Sequence, residues 1–317
     1  MGDILYIVVP CYNEQEVLRE TAKRLKEKLE KLINEGKVSV KSRVLFVNDG
    51  SKDNTFGIIE ELYSESELFE GINLSRNRGH QNALLAGLME AIKKADVTIS
   101  MDADLQDDIN AVDEMLDEYY AGCDIVYGIR KKRQKDTFFK RFTAELFYRL
   151  MNFLGAETVF NHADYRLMSK RAIEGLAQFK EVNLFLRGIV TMIGYRTSSV
   201  YYEREERFAG ESKYPLKKMI SFALEGITSF SVKPIRFITL IGFLIFITSI
   251  IMIIYFIIRW FIGATVVGWA SVACSVWAIG GLIMLSLGVL GEYIGKIYLE
   301  IKQRPKYIIE KVLEHKD

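Results

Sequence analysis

The 317-residue sequence predicts an open, mostly parallel α/β sheet with helices on both faces, followed by a two-helix membrane hairpin. Three observations carry that expectation. Strand-like and helix-like segments alternate over roughly the first 130 residues. From Phe237 to Gly291, 55 residues carry a single charge, Arg259. The other 262 residues hold 82 of the 83 Asp, Glu, Lys and Arg side chains. An average of 50% hydrophobic and 26% charged residues therefore conceals two materials, a charged soluble domain and a piece suited to lipid.

The elements follow in order. Ile4 to Val9 is a continuous apolar run, the pattern of a strand buried on both faces. Glu14 to Ile33 places Val17, Leu18, Thr21, Leu25, Leu29 and Leu32 on one helical face. Val44–Val47 is the next strand, with a helix around Phe56 to Tyr63. Ile72–Leu74, a helix from Gln81 to Lys93, and Val97–Met101 continue the rhythm. A helix over Asn110 to Tyr120 then leads to Ile125–Tyr127. In such sheets ligands sit beyond the carboxyl ends of the strands, so those ends are where chemistry is expected.

Phe237 to Ile258 is an uncharged run of 22 residues, and Val266 to Leu290 supplies a second span; each is long enough to cross ~30 Å of hydrocarbon. Arg259 to Thr265 is expected as the turn between them. Lys213, Lys217, Lys218, Lys233 and Arg236 precede the first span, and Lys296, Lys302, Arg304 and Lys306 follow the second. The positive-inside rule then puts both flanks, and the soluble domain with them, on the cytoplasmic side of the cell membrane. The expected divisions are a soluble domain over 1–212, an amphipathic juxtamembrane segment over 213–236, two spans within 237–291 and a tail over 292–317. Asp3 ahead of a short apolar run ending at Pro10 does not read as a signal peptide.

Several classes are excluded. Cys11, Cys123 and Cys274 are few and widely separated, so neither a disulfide framework nor a CxxC site is indicated. His80, His162 and His315 form no HExxH, which argues against a zinc hydrolase. A net charge of +1 argues against nucleic acid as a partner. The spans contain no acids, so transport is not indicated.

The first strand opens into Pro10-Cys11-Tyr12-Asn13-Glu14 rather than GxGxxG. Proline stiffens the exit, Tyr12 offers a face for stacking a base, and Asn13 is placed to cap the next helix. The second strand ends in Asn48-Asp49-Gly50-Ser51, which reads either as a turn or as a carboxylate accepting from a base or ribose. Met101-Asp102-Ala103-Asp104-Leu105-Gln106-Asp107-Asp108 follows the strand ending at Met101. Four carboxylates so close repel one another unless a cation or solvent neutralises them, and hard oxygen donors favour Mg²⁺ or Mn²⁺. Asp102 and Asp104 are the expected metal or diphosphate site; Asp107 and Asp108 are expected as a solvated acidic loop. Arg130, at a strand end, is expected at a phosphate. Lys131, Lys132 and Arg133 read equally as attracted to anionic headgroups. Lys217 and Lys218 with Met219, Ile220, Phe222 and Leu224 suggest an interfacial helix.

PCYNE, VNDGS, LSRNRGHQNALLAGL and DADLQD, in this order, resemble the family 2 inverting glycosyltransferases with a GT-A, Rossmann-like fold. DADLQ, followed by YGIR and RFAGESKY, is similar to the polyprenyl-phosphate branch, which includes dolichol-phosphate mannose synthases and GtrB-like undecaprenyl-phosphate glucosyltransferases. The paired membrane helices resemble the GtrB-like members, and the likeness covers essentially the whole chain. It implies that Pro10, Tyr12, Glu14 and Asp49 surround a nucleotide. Asp102, Asp104 and Gln106 would form the metal and diphosphate site. Asp164 matches the family's candidate base, and Arg207 with Lys213 a loop closing over the sugar-nucleotide phosphates. Arg130, Lys140 and Arg141 match residues that receive the lipid phosphate. Many relatives carry GK where this chain has Gly79-His80, so His80 is given no role. QxxRW, the mark of processive synthases, is absent.

The resemblance implies transfer of a sugar from a nucleotide donor, best matched by UDP-glucose, to polyprenyl phosphate, with Mg²⁺ or Mn²⁺ as cofactor. GlcNAc, mannose and modified arabinose remain open, as does a catalytically silent scaffold or nucleotide sensor. A homo-oligomer, a tetramer among the options, is also implied. Because a phosphate monoester is largely dianionic at neutral pH, with a second pKa near ~6, Asp164 is expected to orient the acceptor or a sugar hydroxyl more than to remove a proton.

Overall fold

The computed structural model describes residues 2–131, 162–181, 186–203, 233–262 and 268–315, which fall into two units. The first is an α/β unit. Its elements are β1 (Leu5–Cys11), α1 (Leu18–Asn34), β2 (Arg43–Asn48), α2 (Thr55–Glu65), β3 (Phe69–Leu74), α3 (His80–Ala91), β4 (Val97–Ser100) and α4 (Ala111–Tyr120). They continue with β5 (Ile125–Arg130), β6 (His162–Ser169), α5 (Lys170–Ala177), α6 (Leu186–Met192) and β7 (Thr197–Tyr202). The second unit holds α7 (Lys233–Phe261) and α8 (Trp269–Ile301), after which β8 (Ile309–Leu313) belongs to the first unit again.

The sheet has eight strands in the order β7-β5-β6-β4-β1-β2-β3-β8. β3, β2, β1 and β4 run parallel, as the βαβ alternation predicts. β6 lies antiparallel between β4 and β5, and β8 pairs antiparallel with the outer edge of β3. β1 is buried along its whole length because helices cover both faces. Leu18, Leu25, Leu29 and Leu32 of α1 join Leu5, Ile7 and Val9 in the main core. The predicted apolar face of α1 is the buried one, Thr21 included. Its hydroxyl is satisfied by donating to the carbonyl of Ala103, at 2.8 Å.

α3 presses on the sheet at Gly87. A Cβ there would lie 2.4 Å from Val8 Cγ1 and 2.7 Å from Val47 Cγ2. Neither valine can swing aside, because its branch sits at the backbone. Glycine therefore sets how closely the helix approaches the strands.

The apolar helices are longer than the uncharged runs. α7 covers 29 residues and continues past Arg259, where a turn was expected. α8 covers 33 residues and carries Glu292 and Lys296 within it. Nothing in either flank stops a helix, so the charged ends extend beyond the apolar stretch. Both helices contain windows long and apolar enough to cross a membrane. α8 ends where Gln303 takes the left-handed conformation, φ 44, two residues before Pro305. The segment expected as a tail then supplies β8, with Leu313 buried against the sheet.

Replacing Gly87 by alanine sets overpacking of about 1–3 kcal/mol against a helix-propensity gain of about 1 kcal/mol. The expected net effect is a lower thermal midpoint by several degrees, measured on the detergent-solubilised protein; a higher midpoint would contradict this packing.

Candidate active site

The site is built where β1, β2 and β4 end and β6 begins. After β1, Asn13 adopts φ 55 and is stitched to the loop after β2. Its N–H donates to Ser51 Oγ at 3.0 Å, its Oδ1 accepts from the N–H of Lys52 at 2.9 Å, and Glu14 N–H donates to Thr55 Oγ1 at 2.9 Å. Asn13 thus clamps two loops; the helix cap itself is Val17, which makes no side-chain cap bond. Pro10 is buried within β1, whereas Tyr12 is 40% exposed and free to stack. Glu14 is half-buried.

Asp49 is held by the turn before α3. It is 2% exposed, and its two oxygens accept from the N–H groups of Arg78 at 2.6 Å and Gly79 at 2.9 Å. Burial pushes its carboxyl above the ordinary value, and those two N–H groups pull it back. Its neighbour Gly50, at φ 60, has no room for a side chain, since a Cβ would lie 2.5 Å from the backbone of Arg76. The end of β2 and the turn before α3 are therefore in backbone contact.

After β4 comes the acidic turn. Gln106 N–H donates to Asp104 Oδ1 at 3.2 Å, and Leu105, buried, is held at φ 57. A left-handed leucine costs about 1–3 kcal/mol and persists only where its surroundings over-determine it. Here they do so on both sides. Asp107 is 3% exposed and receives Arg130 Nη2 at 3.1 Å together with the Tyr202 hydroxyl; Arg130 Nε donates to the same tyrosine oxygen at 3.1 Å. Asp108 accepts from Asn110 N–H at 2.9 Å, and its carbonyl accepts from Tyr165 at 2.9 Å. The expected solvated loop is therefore corrected: Asp107 is a buried ion-pair partner and Asp108 a turn former. Arg130 does reach the strand end as expected, but anchored to the acidic turn.

β6 starts beside the end of β4, since Ser100 is paired with Arg166. Two residues beyond each partner stand Asp102 and Asp164. Asp164 Oδ1 accepts from Arg166 Nη2 at 2.6 Å, and Ser100 Oγ donates to the Asp164 carbonyl at 2.6 Å. His80, the first residue of α3, completes the group: its Nε2 is 3.5 Å from Asp102 Oδ1 and 3.5 Å from Asp164 Oδ2. Sequence reading passed over His80; the clue was its place at a helix start, in the turn after β3.

The Asp102 carboxyl is pushed up to about 6 by burial, opposed by His80 and assisted by the charges of Asp107, Asp164 and Asp104. Hard carboxylate oxygens crowded to that degree suit a divalent cation. Among the described residues no three acidic, His or Cys side chains form a ready-made metal cage. Mg²⁺ or Mn²⁺ would take one or two of the carboxylates and complete its shell with water and substrate phosphate. Lys140, Arg141, Arg207, Lys213 and the expected interfacial helix lie outside the described residues. Cys11 and Cys123 are buried free thiols.

Comparison with known proteins identifies the family. A protein from Bacillus subtilis (strain 168), named uncharacterized glycosyltransferase YkoT, is 53% identical over 307 residues, covering 97% of this chain and 91% of its own. The prophage bactoprenol glucosyl transferase homolog of Escherichia coli (strain K12) is 40% identical over 308 residues, covering 96% and 98%. The bactoprenol glucosyl transferase of Shigella phage SfII is 40% identical over 307 residues, covering 96% and 97%. The family model described as Glycosyl transferase family 2 matches residues 6–176, the span that contains every acid of the site. The chain belongs to glycosyl transferase family 2.

Proposed function

We propose that this glycosyltransferase moves glucose from UDP-glucose, with inversion, onto the phosphate of a membrane polyprenyl phosphate such as undecaprenyl phosphate. The product would be a polyprenyl-monophosphate sugar for cell-envelope glycosylation. The observation that carries this reading is the 40% identity to proteins named bactoprenol glucosyl transferase over 96% of the chain, the apolar helices included.

In this reading Tyr12 stacks on the base, with Pro10 and Glu14 shaping its pocket and Asp49 holding the adjoining turn. Asp102, Asp104 and Gln106 would hold Mg²⁺ or Mn²⁺, which offsets charge growing on the departing diphosphate. Arg207 and Lys213 close over the same phosphates. Arg130, fixed by Asp107 and Tyr202, joins Lys140 and Arg141 in receiving the lipid phosphate. That phosphate is already an anionic nucleophile, so Asp164 orients it or a sugar hydroxyl. The helices α7 and α8 cross the cell membrane with their Lys- and Arg-rich flanks on the cytoplasmic side, where the sugar nucleotide is dissolved.

Membranes containing the protein, given radiolabelled nucleotide sugars, polyprenyl phosphate and Mg²⁺ or Mn²⁺, are expected to form a labelled lipid from UDP-glucose. A product from another sugar alone would overturn the donor, and no metal-dependent lipid product from any donor would sink the reaction.

Asp164→Asn is expected to lower kcat about 10- to 100-fold by a factor that stays constant with pH. Recovery of the lost rate only as pH rises would instead mark Asp164 as a base. Asp102 gives a second test. With its folded pKa raised to about 6 from 3.8, it favours the metal-free fold below 3.8, and that contribution is lost as pH rises through 6. A cation bound to the ionised carboxylate reverses the loss. The thermal shift produced by Mn²⁺ plus UDP is therefore expected to be larger at pH 7.5 than at pH 5, and Asp102→Asn to remove most of the difference.

A further inference from the structure

His80 has no part in the reaction as set out above, yet it is the side chain that approaches both acids at the sheet's end. Its Nε2 stands 3.5 Å from an oxygen of each. At that distance neither contact is a full hydrogen bond, but a shift of about half an ångström makes either one. The Asp164 oxygen that faces His80 is the one Arg166 does not hold. Asp164 is thus gripped by Arg166 from within the sheet and met by His80 from the cleft side.

The position of His80 is itself imposed. Gly79 ahead of it has φ 88, and the N–H groups of Arg78 and Gly79 both donate to Asp49. α3, which His80 begins, is pressed onto β1 and β2 at Gly87. A continuous line of contacts therefore runs from the end of β2 through Asp49 and the 78–79 turn to His80, and from His80 to Asp102 and Asp164. The His80 side chain is 42% exposed, so it is not packed as core.

We propose that His80 is a positioning residue for sugar transfer: aimed by Asp49, it sets the spacing between the donor-side acid Asp102 and the acceptor-side acid Asp164. The inference rests on the reaction proposed above and deepens it. A displacement of either acid by about 1 Å is enough to slow transfer about 100-fold.

The test uses the full chain in lipid nanodiscs, with kcat and KM for the sugar nucleotide measured on His80→Ala, His80→Gln, Asp49→Asn and the Asp49→Asn/His80→Ala double variant. His80→Ala is expected to lower kcat about 10- to 100-fold with KM changed less than about threefold. His80→Gln, which keeps a donor of similar reach, recovers part of the rate. Asp49→Asn also lowers kcat, and adding it to His80→Ala lowers kcat further by less than about threefold, because both act through one contact. A KM rise with kcat retained would make His80 a donor ligand and overturn the proposal, as would unchanged kcat. Losses that multiply would detach Asp49 from His80. If His80→Ala melts early, His80→Gln carries the comparison. A structure of the His80→Ala protein without metal or substrate separates this idea from the proposed reaction. The Asp102 and Asp164 carboxylates are expected to shift apart, and unchanged positions overturn the spacing role whatever the wild type transfers.

Discussion

The site depends on one buried ion pair, Asp164 with Arg166, carried by a strand that runs against its neighbours. Arg166 is 2% exposed, buried within the sheet beside Tyr165 and Leu167. Burying a charge there is costly unless it is paired, and breaking such a pair by removing one partner costs about 3–5 kcal/mol. The pairing also fixes geometry. Because β6 is antiparallel to β4, its first residues lie beside β4's last ones. A parallel strand in that slot would bring its carboxyl end there instead, and Asp164 would be at the far edge of the sheet.

Like charge gathers around that pair, and the chain manages it by three different means. Asp107 is neutralised within the protein by Arg130 and the Tyr202 hydroxyl. Asp49 is satisfied by backbone N–H groups and helps to hold a turn. Asp102 is met part-way by His80 Nε2 at 3.5 Å, while burial and the charges of Asp107, Asp164 and Asp104 raise its affinity for a proton. A cation and a substrate phosphate would meet there. Within DADLQDD, the pair expected as a solvated loop, Asp107 and Asp108, is structural instead.

Much of this was legible beforehand. The parallel half of the sheet follows from continuous apolar runs such as Leu5–Val9 alternating with helical faces such as that of α1, both local patterns of apolar spacing. Asp102, Asp104 and Asp164 were singled out by motif and by resemblance, and the fold brings Asp102 and Asp164 to the same end of the sheet. β6 was not read as a strand because Asp164 and Arg166 interrupt its apolar pattern, and their compensation is visible only in three dimensions. β8 was missed because Ile309–Leu313 is short and charged, and its partner β3 lies more than 200 residues earlier in the chain. Asp107 and His80 were misjudged or passed over for the same reason: their partners, Arg130, Tyr202 and Asp164, are distant in sequence. What the sequence hides here is pairing between remote polar groups.

The return of the chain to β3 after α8 has a consequence for how the protein is made. Synthesis produces β3 early, but the strand that covers its outer edge follows both apolar helices. Until then β3 presents unpaired N–H and C=O groups, the kind of edge that recruits strands from other chains. Sheet completion therefore waits on the synthesis of both apolar helices, and a chain that stops before β8 keeps that edge open.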